Sequence, residues 1–301
     1  MNHLHFCSFL LFVFLLFDAN RLSAQCPQVE AIMIDACGVE QFNEFLIISS
    51  GGGFNTADIQ LSFDANNNFA SPANNDINID IDNTPGPPCG LTTGNPAAIA
   101  GCPNVTAVGP GVDIPANSIV ILQASLGATT AYDFGAICGG GECIFVISNS
   151  CSRTGGGFTN FGSGTRETIF QINGGCTQTI IYDRALLNGA NGDYFMPLTG
   201  AYGNNGCVAP PVTATSPLPP NINPIPNVTV CGSYTLPAIT GTNLTPNAAY
   251  FTGTNGTGTQ YDPGDMITTT TTLYAYDAIG GPGCSDQEQF TVTITPPPTA
   301  N

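Results

Sequence analysis

Val208–Pro226, VAPPVTATSPLPPNINPIP, is the stretch that divides this chain into two parts. Seven of its nineteen residues are proline and none is charged, a composition that favours extended polyproline II and a semi-rigid spacer. We therefore expect a larger region over residues 25–207, a linker over 208–226 and a smaller module over 227–295. Residues 296–301, PPPTAN, are the expected start of a second linker. This pattern predicts the front of a longer modular protein.

The first 24 residues have the features of a secretory signal peptide. Phe6–Phe17 is an apolar run broken only by Ser8, and small residues precede a cleavage site after Ala24. The run is too short for a membrane-spanning helix, which needs about 20 apolar residues. Gln25 is a poor fit for the small residue expected before a lipidated cysteine. We expect a secreted or cell-surface product with no membrane insertion after signal cleavage.

The composition argues against most enzyme classes. Both histidines, His3 and His5, lie in the predicted signal, and the chain contains no lysine. Ser-His-Asp and Cys-His catalytic arrangements, histidine metal sites, Schiff-base lysines and the phosphate-binding loop are therefore excluded. Only a carboxylate pair or an unassisted cysteine remains for catalysis, and we predict that the chain is not an enzyme.

The charge balance also limits the partners. After signal removal three arginines face twenty acidic residues. Nucleic acid is excluded as a partner, because neutralising phosphates requires clustered Lys and Arg, and an anionic membrane surface is disfavoured for the same reason. An extracellular surface carrying a glycan or protein ligand is the expected partner, with its identity undetermined.

Eleven cysteines remain after the signal, and in an exported chain they predict disulfides. Nine precede the linker, so one of these is free or pairs outside its own region. Cys138 and Cys143, in CGGGEC, are expected to close a turn. In the second module, Cys231 follows the first predicted strand and Cys284 precedes the last. A cross-link between them is predicted to stabilise the module by roughly 4 kcal/mol on the loop-entropy model.

The apolar runs of the first region are short and bounded by Gly, Asn and Pro, a pattern that predicts an antiparallel β-sandwich. These runs are Val29–Ile34, Phe45–Ile48, Ile59–Phe63, Ile119–Leu122 and Ile144–Ile147. Glu167–Tyr182, ETIFQINGGCTQTIIY, has two alternating runs around Asn-Gly-Gly and predicts a hairpin with glycine in a left-handed position. In the second module, strands are predicted at Val228–Val230, Thr271–Tyr276 and Phe290–Ile294, and a turn is predicted at Asn255-Gly256.

Glu40 and Glu44, with Asp35 nearby, are the best candidates for paired carboxylates. Glycoside hydrolysis requires two carboxyl groups within roughly 5 to 10 Å across a sugar-binding cleft. The chain has no tryptophan to stack on a sugar. The favoured alternative is structural, with Glu44 at the start of a buried strand.

Calcium is the one cofactor that the sequence leaves open. Asp76, Asp80 and Asp82 alternate with isoleucines and would share one face of a strand, where their carboxylates are hard oxygen ligands. Asp262 and Asp265, with other carboxylates of the second module, offer a second candidate site. Solvated carboxylates are the favoured alternative for both, since neither set has the spacing of a ligand loop.

Two patches of the first region carry a family resemblance. IMIDACGVEQFNEFLII near its start, and TIIYDRALLNGANGDYF with YGNNGC near its end, resemble the amino-terminal domain of large secreted Bacteroidetes proteins. The resemblance implies downstream adhesin-type repeats and a gliding-motility-associated or type IX sorting domain. NEFLII is also similar to a strand of lamin-tail-like β-sandwich domains. Neither resemblance implies catalytic residues.

The second module resembles another repeat family. CGSYTLPAITGTNLTPNAAYFTGTNGTGTQYDPGDMITTTTTLYAYD followed by CSDQEQFTVTI is similar to the immunoglobulin-like repeats of giant Bacteroidetes surface proteins. That resemblance implies a small Ig-like β-sandwich acting as a spacer or adhesive unit. Such units usually occur in tandem, whereas this chain has one.

Together these observations predict an all-β, non-enzymatic exported protein that presents β modules, in adhesion or gliding. The alternatives are the accessory binding region of a secreted carbohydrate-active enzyme and a purely structural stalk. If the protein is an adhesin, recognition is expected on loops of the first region. The candidates near its end, for which core or turn roles are equally compatible, are Tyr194, Phe195, Tyr202, Asn204 and Asn205.

Overall fold

The computed structural model describes residues 26–63, 90–151, 157–160, 162–173 and 175–296. Within these ranges the chain is almost entirely β, with short helices of one turn. The prediction of an all-β protein of the β-sandwich class is confirmed. The predicted signal peptide lies outside the described residues.

The bounds of the elements follow the chain. The first region contains β1 (Gln28–Asp35), β2 (Phe45–Ser49), β3 (Phe54–Asn55), β4 (Ile59–Ser62), β5 (Leu91–Thr93), β6 (Ile99–Ala100), β7 (Asn104–Ala107), β8 (Asp113–Ile114), β9 (Ile119–Gln123), β10 (Tyr132–Asp133), β11 (Cys143–Asn149), β12 (Thr165–Ile172), β13 (Cys176–Asp183), β14 (Asp193–Met196) and β15 (Ala201–Asn204). The rest contains β16 (Asn221–Ile222), β17 (Val228–Cys231), β18 (Tyr234–Thr235), β19 (Gly241–Thr242), β20 (Ala249–Phe251), β21 (Gln260–Tyr261), β22 (Met266–Ile267), β23 (Thr271–Ala278) and β24 (Ser285–Thr295). The helices are α1 (Glu40–Asn43), α2 (Gly135–Cys138) and 3-10 turns at Thr56–Asp58, Pro96–Ala98, Arg184–Leu186 and Pro282–Cys284.

A mixed sheet of eight strands forms the centre of the first region. Its order is β15-β14-β1-β2-β9-β11-β5, with β7 also paired to β11. β7 and β9 run parallel to β11, whereas the other neighbouring pairs are antiparallel. The expectation of a purely antiparallel sheet is therefore wrong at this edge. The connection over residues 124–142 contains α2 and is long enough to return the chain for a parallel pairing.

The central strands are buried on both faces, which explains their uninterrupted apolar sequences. In β9, Val120 and Leu122 face one core cluster, whereas Ile119 and Ile121 face the other. Neighbouring strand β11 divides its side chains between the same two clusters. Strands covered on both sides have no solvent-exposed face to keep polar, so the usual alternation disappears.

A second, three-stranded sheet covers one face of the central sheet. Its order is β13-β12-β4, and β12 and β13 form the predicted hairpin, paired from Thr165 and Asp183 to Ile172 and Cys176. Phe170, Ile180 and Tyr182 point into the shared core. The other face is covered by loop and short-strand residues, among them Ile99, Tyr132 and Phe134.

Disulfides join distant parts of the first region. Cys26 pairs with Cys176, Cys37 with Cys207 and Cys102 with Cys138, with Cα–Cα distances of 5.6, 5.6 and 5.1 Å. Cys151 is also disulfide-bonded. The expectation that Cys138 and Cys143 close a turn together is wrong, because Cys138 is turned towards Cys102 by helix α2 and Cys143 begins the central strand β11.

The second module is a small two-layered β structure. A five-stranded sheet of order β17-β24-β23-β20-β21 packs with the strand pairs β18–β22 and β16–β19 around a core that includes Leu236, Tyr250 and Phe290. The three strands predicted from sequence are confirmed as β17, β23 and β24. Asn255 and Gly256 both have positive φ, 54° and 68°, as expected for the predicted turn.

The predicted cross-link between Cys231 and Cys284 is wrong. β17 pairs parallel with β24, which places Cys231 beside Thr295 at the far end of an eleven-residue strand. Cys284 precedes the near end of that strand, so the two cysteines are separated by about 30 Å at the usual strand rise. Cys231 is exposed and unpaired. The sequence order alone suggested adjacency because it does not reveal the direction of pairing.

Cys284 instead pairs with Cys143 of the first region, at a Cα–Cα distance of 5.7 Å. This bond answers the question raised by the odd cysteine of the first region, which pairs outside it. The GGPGC segment, Gly280–Cys284, lies against β7 and β11. An added Cβ would be 2.8 Å from the Phe145 ring at Gly280 and 2.4 Å from Thr106 Oγ1 at Gly283, so the glycines permit the close approach. The two modules share core contacts, with Cys284 and Ile279 packed in the larger cluster.

The proline-rich segment contacts both modules. Ala209 is buried in the first region and its N–H donates to Asp133 O at 2.9 Å. Pro217 O accepts from Cys143 N–H at 2.8 Å. Further on, β16 pairs with β19, and Ile222 enters the core of the second module.

The described helices are all too short to cross a membrane. The described disulfides link residues up to 170 positions apart in sequence. Bonds of this kind persist in oxidising compartments, so the structure is compatible with an extracellular protein.

We expect the Cys143–Cys284 bond to be identified by peptide mapping without reduction, with a free thiol at Cys231. Replacing both bonded cysteines by serine should lower the free energy of unfolding by about 5 kcal/mol on the loop-entropy model, because the bond closes a loop of 141 residues in the unfolded chain. Thermal and urea unfolding followed by circular dichroism measure the loss. Cys231→Ser is the matched control and should leave stability unchanged. Recovery of a peptide linking Cys231 to Cys284 would contradict the assignment.

Candidate functional site

The predicted carboxylates lie in the segment that connects β1 to β2. Asp35 ends β1, Glu40 begins the single-turn helix α1, and Glu44 immediately precedes β2. Because β1 and β2 are adjacent antiparallel strands of the central sheet, the segment that connects them lies at one end of the sheet. The structure therefore brings all three residues into one compact loop.

Polar contacts fix the backbone of this loop. The Cys37 N–H donates to the Tyr132 hydroxyl, and the Asn43 side-chain amide donates to Cys37 O at 3.0 Å. Asn43 Oδ1 accepts from Thr129 and Thr130 N–H, both at 2.9 Å. The Cys37–Cys207 disulfide adds a covalent restraint. The loop is held in one conformation by groups from three separate parts of the chain.

Glu44 has a structural position. Its side chain is fully buried, and the carboxylate accepts from the backbone N–H of Gly157 and from that of Phe158 at 3.2 Å. A Cβ at Gly157 would be 3.1 Å from Glu44 Oε2 and 3.0 Å from the Phe63 ring, so a larger residue would have to displace these side chains slightly. Glu44 therefore anchors residues 157 and 158 to the core beside Phe63. The sequence interpretation of Glu44 as a structural residue agrees with this geometry.

We call Asp35, Glu40, Glu44 and the polar residues around them the acidic cluster. Asp35 and Glu40 form its more exposed part. Asp35 is 6 % exposed and Glu40 is half-buried. Burial raises the pKa of Asp35, opposed by a hydrogen bond from the Asn160 side chain and reinforced by the negative charge of Asp193. Burial also raises the pKa of Glu40, reinforced by Asp35 and opposed by the same Asn160 amide. The two carboxyl groups thus share one amide and repel each other.

Tyr132 completes the cluster from the opposite side of the loop. Its ring is buried against Phe45, with ring centroids 5.0 Å apart, and burial raises the pKa of its hydroxyl to about 12. The Cys37 N–H lowers that pKa, whereas Asp35, Glu44 and Glu40 raise it. Tyr132 is consequently a neutral hydroxyl over the physiological pH range.

Asp193 lies opposite Asp35 in the pairing of β1 with β14, and it is buried. Its carboxylate accepts from the Gly189 N–H at 2.8 Å and from the Asn204 side-chain amide at 2.7 Å. These bonds organise the turn before β14. Asp193 therefore stabilises its own turn while adding negative charge beside Asp35.

The cluster has the elements of a carboxyl pair with raised pKa values, a feature that active sites often share. Three of its members nevertheless have structural partners: Glu44 holds backbone N–H groups, Asp193 holds a turn, and Tyr132 holds Cys37. Asp35 and Glu40 are the members whose pKa values burial raises, and both accept a hydrogen bond from the Asn160 side chain.

The calcium predictions divide between two parts of the chain. Asp76, Asp80 and Asp82 lie outside the described residues. Asp262 and Asp265 share a turn in which Asp265 Oδ2 accepts from the Asp262 N–H at 2.8 Å, and both side chains are exposed. In the described ranges, no group of three or more His, Cys, Asp or Glu side chains is arranged to hold a metal ion. Calcium binding stays a prediction.

The aromatic and amide candidates near the end of the first region lie mainly in core and turn contacts. Tyr194 and Phe195 are buried in β14, and Phe195 stacks on Tyr202 with centroids 4.7 Å apart. The Tyr202 hydroxyl accepts from the Asp183 N–H at 2.6 Å. Asn204 donates to Asp193, and Asn205 donates to Ala209 O at 3.4 Å. Their contacts are those of residues that fix the turn.

Sequence reasoning did not identify Asn160, Tyr132 or Asp193 as members of the cluster. Asp35 and Glu40 are separated from Asn160 by more than a hundred residues, and no local pattern marks that amide. The raised pKa values of Asp35 and Glu40 arise mainly from burial, to which Asp193 adds for Asp35 and Asp35 adds for Glu40. No spacing rule detects burial. Of the three, only Asp193 lies in a stretch that the sequence pattern marked, TIIYDRALLNGANGDYF.

Comparison with protein families and with curated proteins gives no further information on the site. No family model matches the chain. No curated protein matches it either.

Glu44→Ala should lower the free energy of unfolding by about 3 kcal/mol, because it leaves buried backbone N–H groups without acceptors. Glu44→Gln should lose less, because its amide oxygen still accepts a hydrogen bond. Urea unfolding of both variants measures the difference. Glu288→Gln, in the second module, is the control and should match the wild type. Equal losses in the two Glu44 variants would contradict an anchoring role for the acceptor.

Asp35→Asn should stabilise the protein at neutral pH. A carboxyl whose pKa is raised in the folded state binds its proton more tightly when folded, so ionising it costs stability as the pH rises through that range. The stabilisation by Asp35→Asn should therefore be full above the raised pKa and disappear as the pH falls below the ordinary value of 3.8. Melting temperatures measured from about pH 3 to about pH 7, a range that spans the titration of ordinary carboxyl groups, give the test. Parallel wild-type and variant curves would contradict it.

Proposed function

We propose that this chain is a non-enzymatic exported protein, of the cell surface or secreted, that presents β modules in adhesion or gliding. The observation that carries the proposal is the joining of the two modules by the Cys143–Cys284 disulfide and the packing of Gly280–Cys284 on β7 and β11. A bond between modules resists separation under load, which is a property that a presenting or adhesive unit requires.

The proline-rich segment supports the same function. It pairs with the first region through Ala209 and Pro217, and it enters the second module through Ile222. A linker held at both ends limits the hinge motion between modules that is otherwise expected for interfaces within a chain. The fixed orientation keeps the loops of the first region at a constant angle to β24, the last strand of the second module.

The positions of the carboxylates favour presentation over hydrolysis. Glu44 is committed to backbone N–H groups of residues 157 and 158, so it is not available to attack or protonate a substrate. Asp35 and Glu40 are both bonded to the Asn160 side chain. This shared hydrogen-bond donor supports a structural role for the pair. The resemblance of both modules to parts of secreted Bacteroidetes surface proteins agrees with this proposal.

A combined binding and turnover screen tests the proposal. The full exported chain, after signal removal, is labelled and applied to immobilised glycans, extracellular matrix proteins and intact cells, and the same preparation is incubated with an oligosaccharide panel. We expect saturable binding without turnover. Binding should survive in an Asp35→Asn/Glu40→Gln double variant, because these side chains are not proposed to contact the ligand.

Hydrolysis that disappears in the double variant would overturn the proposal in favour of a carbohydrate-active enzyme. Absence of both binding and turnover would overturn the adhesive part and leave a structural stalk. The Cys143→Ser/Cys284→Ser variant serves as a comparison, because binding that persists in it places the adhesive surface within one module.

A further inference from the structure

A polar cavity lies where the proline-rich segment passes over the ends of β1 and β2. Its volume is about 310 Å³, at the lower end of the range for small-ligand sites. We call it the linker cavity. The lining side chains that carry polar groups are Glu30, Ser49, Asn117, Ser118, Thr213 and Thr215.

Glu30 enters the cavity because of a β-bulge. In the pairing of β1 with β2, Val29 faces Ile48 and Ala31 faces Ile47, so Glu30 is the extra residue without a partner in β2. Bulges re-aim a side chain and are common beside functional sites. Glu30 is only 7 % exposed, and among the described residues no hydrogen bond or ion pair engages its carboxylate. The carboxylate oxygens remain open to the cavity, where they can accept hydrogen bonds from a ligand that supplies donors.

Ser118 belongs to the wall of the cavity, with its hydroxyl oxygen enclosed behind the surface. It is 1 % exposed, and its hydroxyl has no hydrogen-bond partner. Its backbone is fixed, since the N–H donates to Ser50 Oγ at 2.7 Å and the carbonyl accepts from the Ser50 N–H at 2.8 Å. Neighbouring Asn117 has a φ of 58° and donates its N–H to Gly51 O. The wall of the cavity is thus held before any ligand binds.

The proline-rich segment supplies the rim. Thr213 and Thr215 are exposed, and the adjoining Ser216 is buried. Ser216 Oγ accepts from the Ile119 N–H at 3.1 Å and donates to Cys143 O. These bonds hold the segment that carries the two threonines. A ligand therefore meets a rim that is already ordered and does not lose affinity by ordering it.

We propose that the linker cavity binds a neutral polyhydroxylated ligand, a monosaccharide or the terminal sugar of a glycan. Serine, threonine and asparagine side chains both donate and accept hydrogen bonds, as sugar hydroxyls do, and the Glu30 carboxylate is suited to accept from two adjacent hydroxyls. The lining contains no Lys or Arg, which disfavours an anion, and its single carboxylate is fewer than calcium sites use. The inference rests on the proposed adhesive function and gives it a ligand class.

Titration of the full exported chain with neutral methyl glycosides tests the inference. The panel contains methyl glycosides of glucose, galactose, mannose, fucose, xylose and N-acetylglucosamine, with binding followed by saturation-transfer NMR and calorimetry. We expect at least one to bind with a dissociation constant in the millimolar range. Glu30→Gln should weaken that binding roughly tenfold, because a charge-assisted hydrogen bond is lost. The same glycosides immobilised on a surface distinguish a free sugar from the end of a glycan.

Two further variants keep the result interpretable. Thr213→Val and Thr215→Val change exposed rim residues and should weaken binding without altering the melting temperature. Glu288→Gln is the matched control and should bind as the wild type does. Equal binding by the wild type and all of these variants, or no binding of any glycoside, would overturn the inference. If the Glu30→Gln variant adheres to cells as well as the wild type does, the ligand inference is overturned and the proposed function stands. If the wild type does not adhere at all, the proposed function is overturned.

Discussion

The contact between Cys284 and the first region is the constraint on which the arrangement of the two modules depends. The disulfide to Cys143 joins β11, a central strand, to the turn before β24, the longest strand of the second module. The glycines of Gly280–Cys284 allow the backbone to approach Phe145 and Thr106 closely. A side chain at these positions would separate the modules before the sulfur atoms could meet. The disulfide and the close approach that the glycines allow therefore hold the two modules in contact together.

The position of the proline-rich segment follows from that contact. With both modules fixed, the chain between Cys207 and β16 has to cross the surface of the first region, where Ala209 and Ser216 find buried positions. The crossing covers part of the hydrophobic face of the central sheet and forms the rim of the linker cavity. A segment that has the composition of a spacer thus also contributes side chains to a candidate binding site.

The acidic loop between β1 and β2 illustrates how one short sequence can contain residues of different roles. Asn43 and Glu44 satisfy backbone groups inside the protein, whereas Asp35 and Glu40 share the Asn160 amide near its surface. The raised pKa values of the latter pair result mainly from burial, reinforced by the charge of Asp193 at Asp35 and by that of Asp35 at Glu40. Such values also occur in structural clusters, so they identify a strained electrostatic environment without specifying catalysis.

The sequence by itself determined the all-β class, the hairpin of β12 and β13, and the strands β17, β23 and β24, because these depend on local alternation and on turn residues such as Asn255 and Gly256. It also limited the available catalytic chemistry through its lack of lysine. The tertiary structure alone decided that Cys284 pairs with Cys143, that β9 runs parallel to β11, and that Glu30 bulges into a cavity. Each of these depends on which distant segments become neighbours and in which direction they run, and no local periodicity encodes that information.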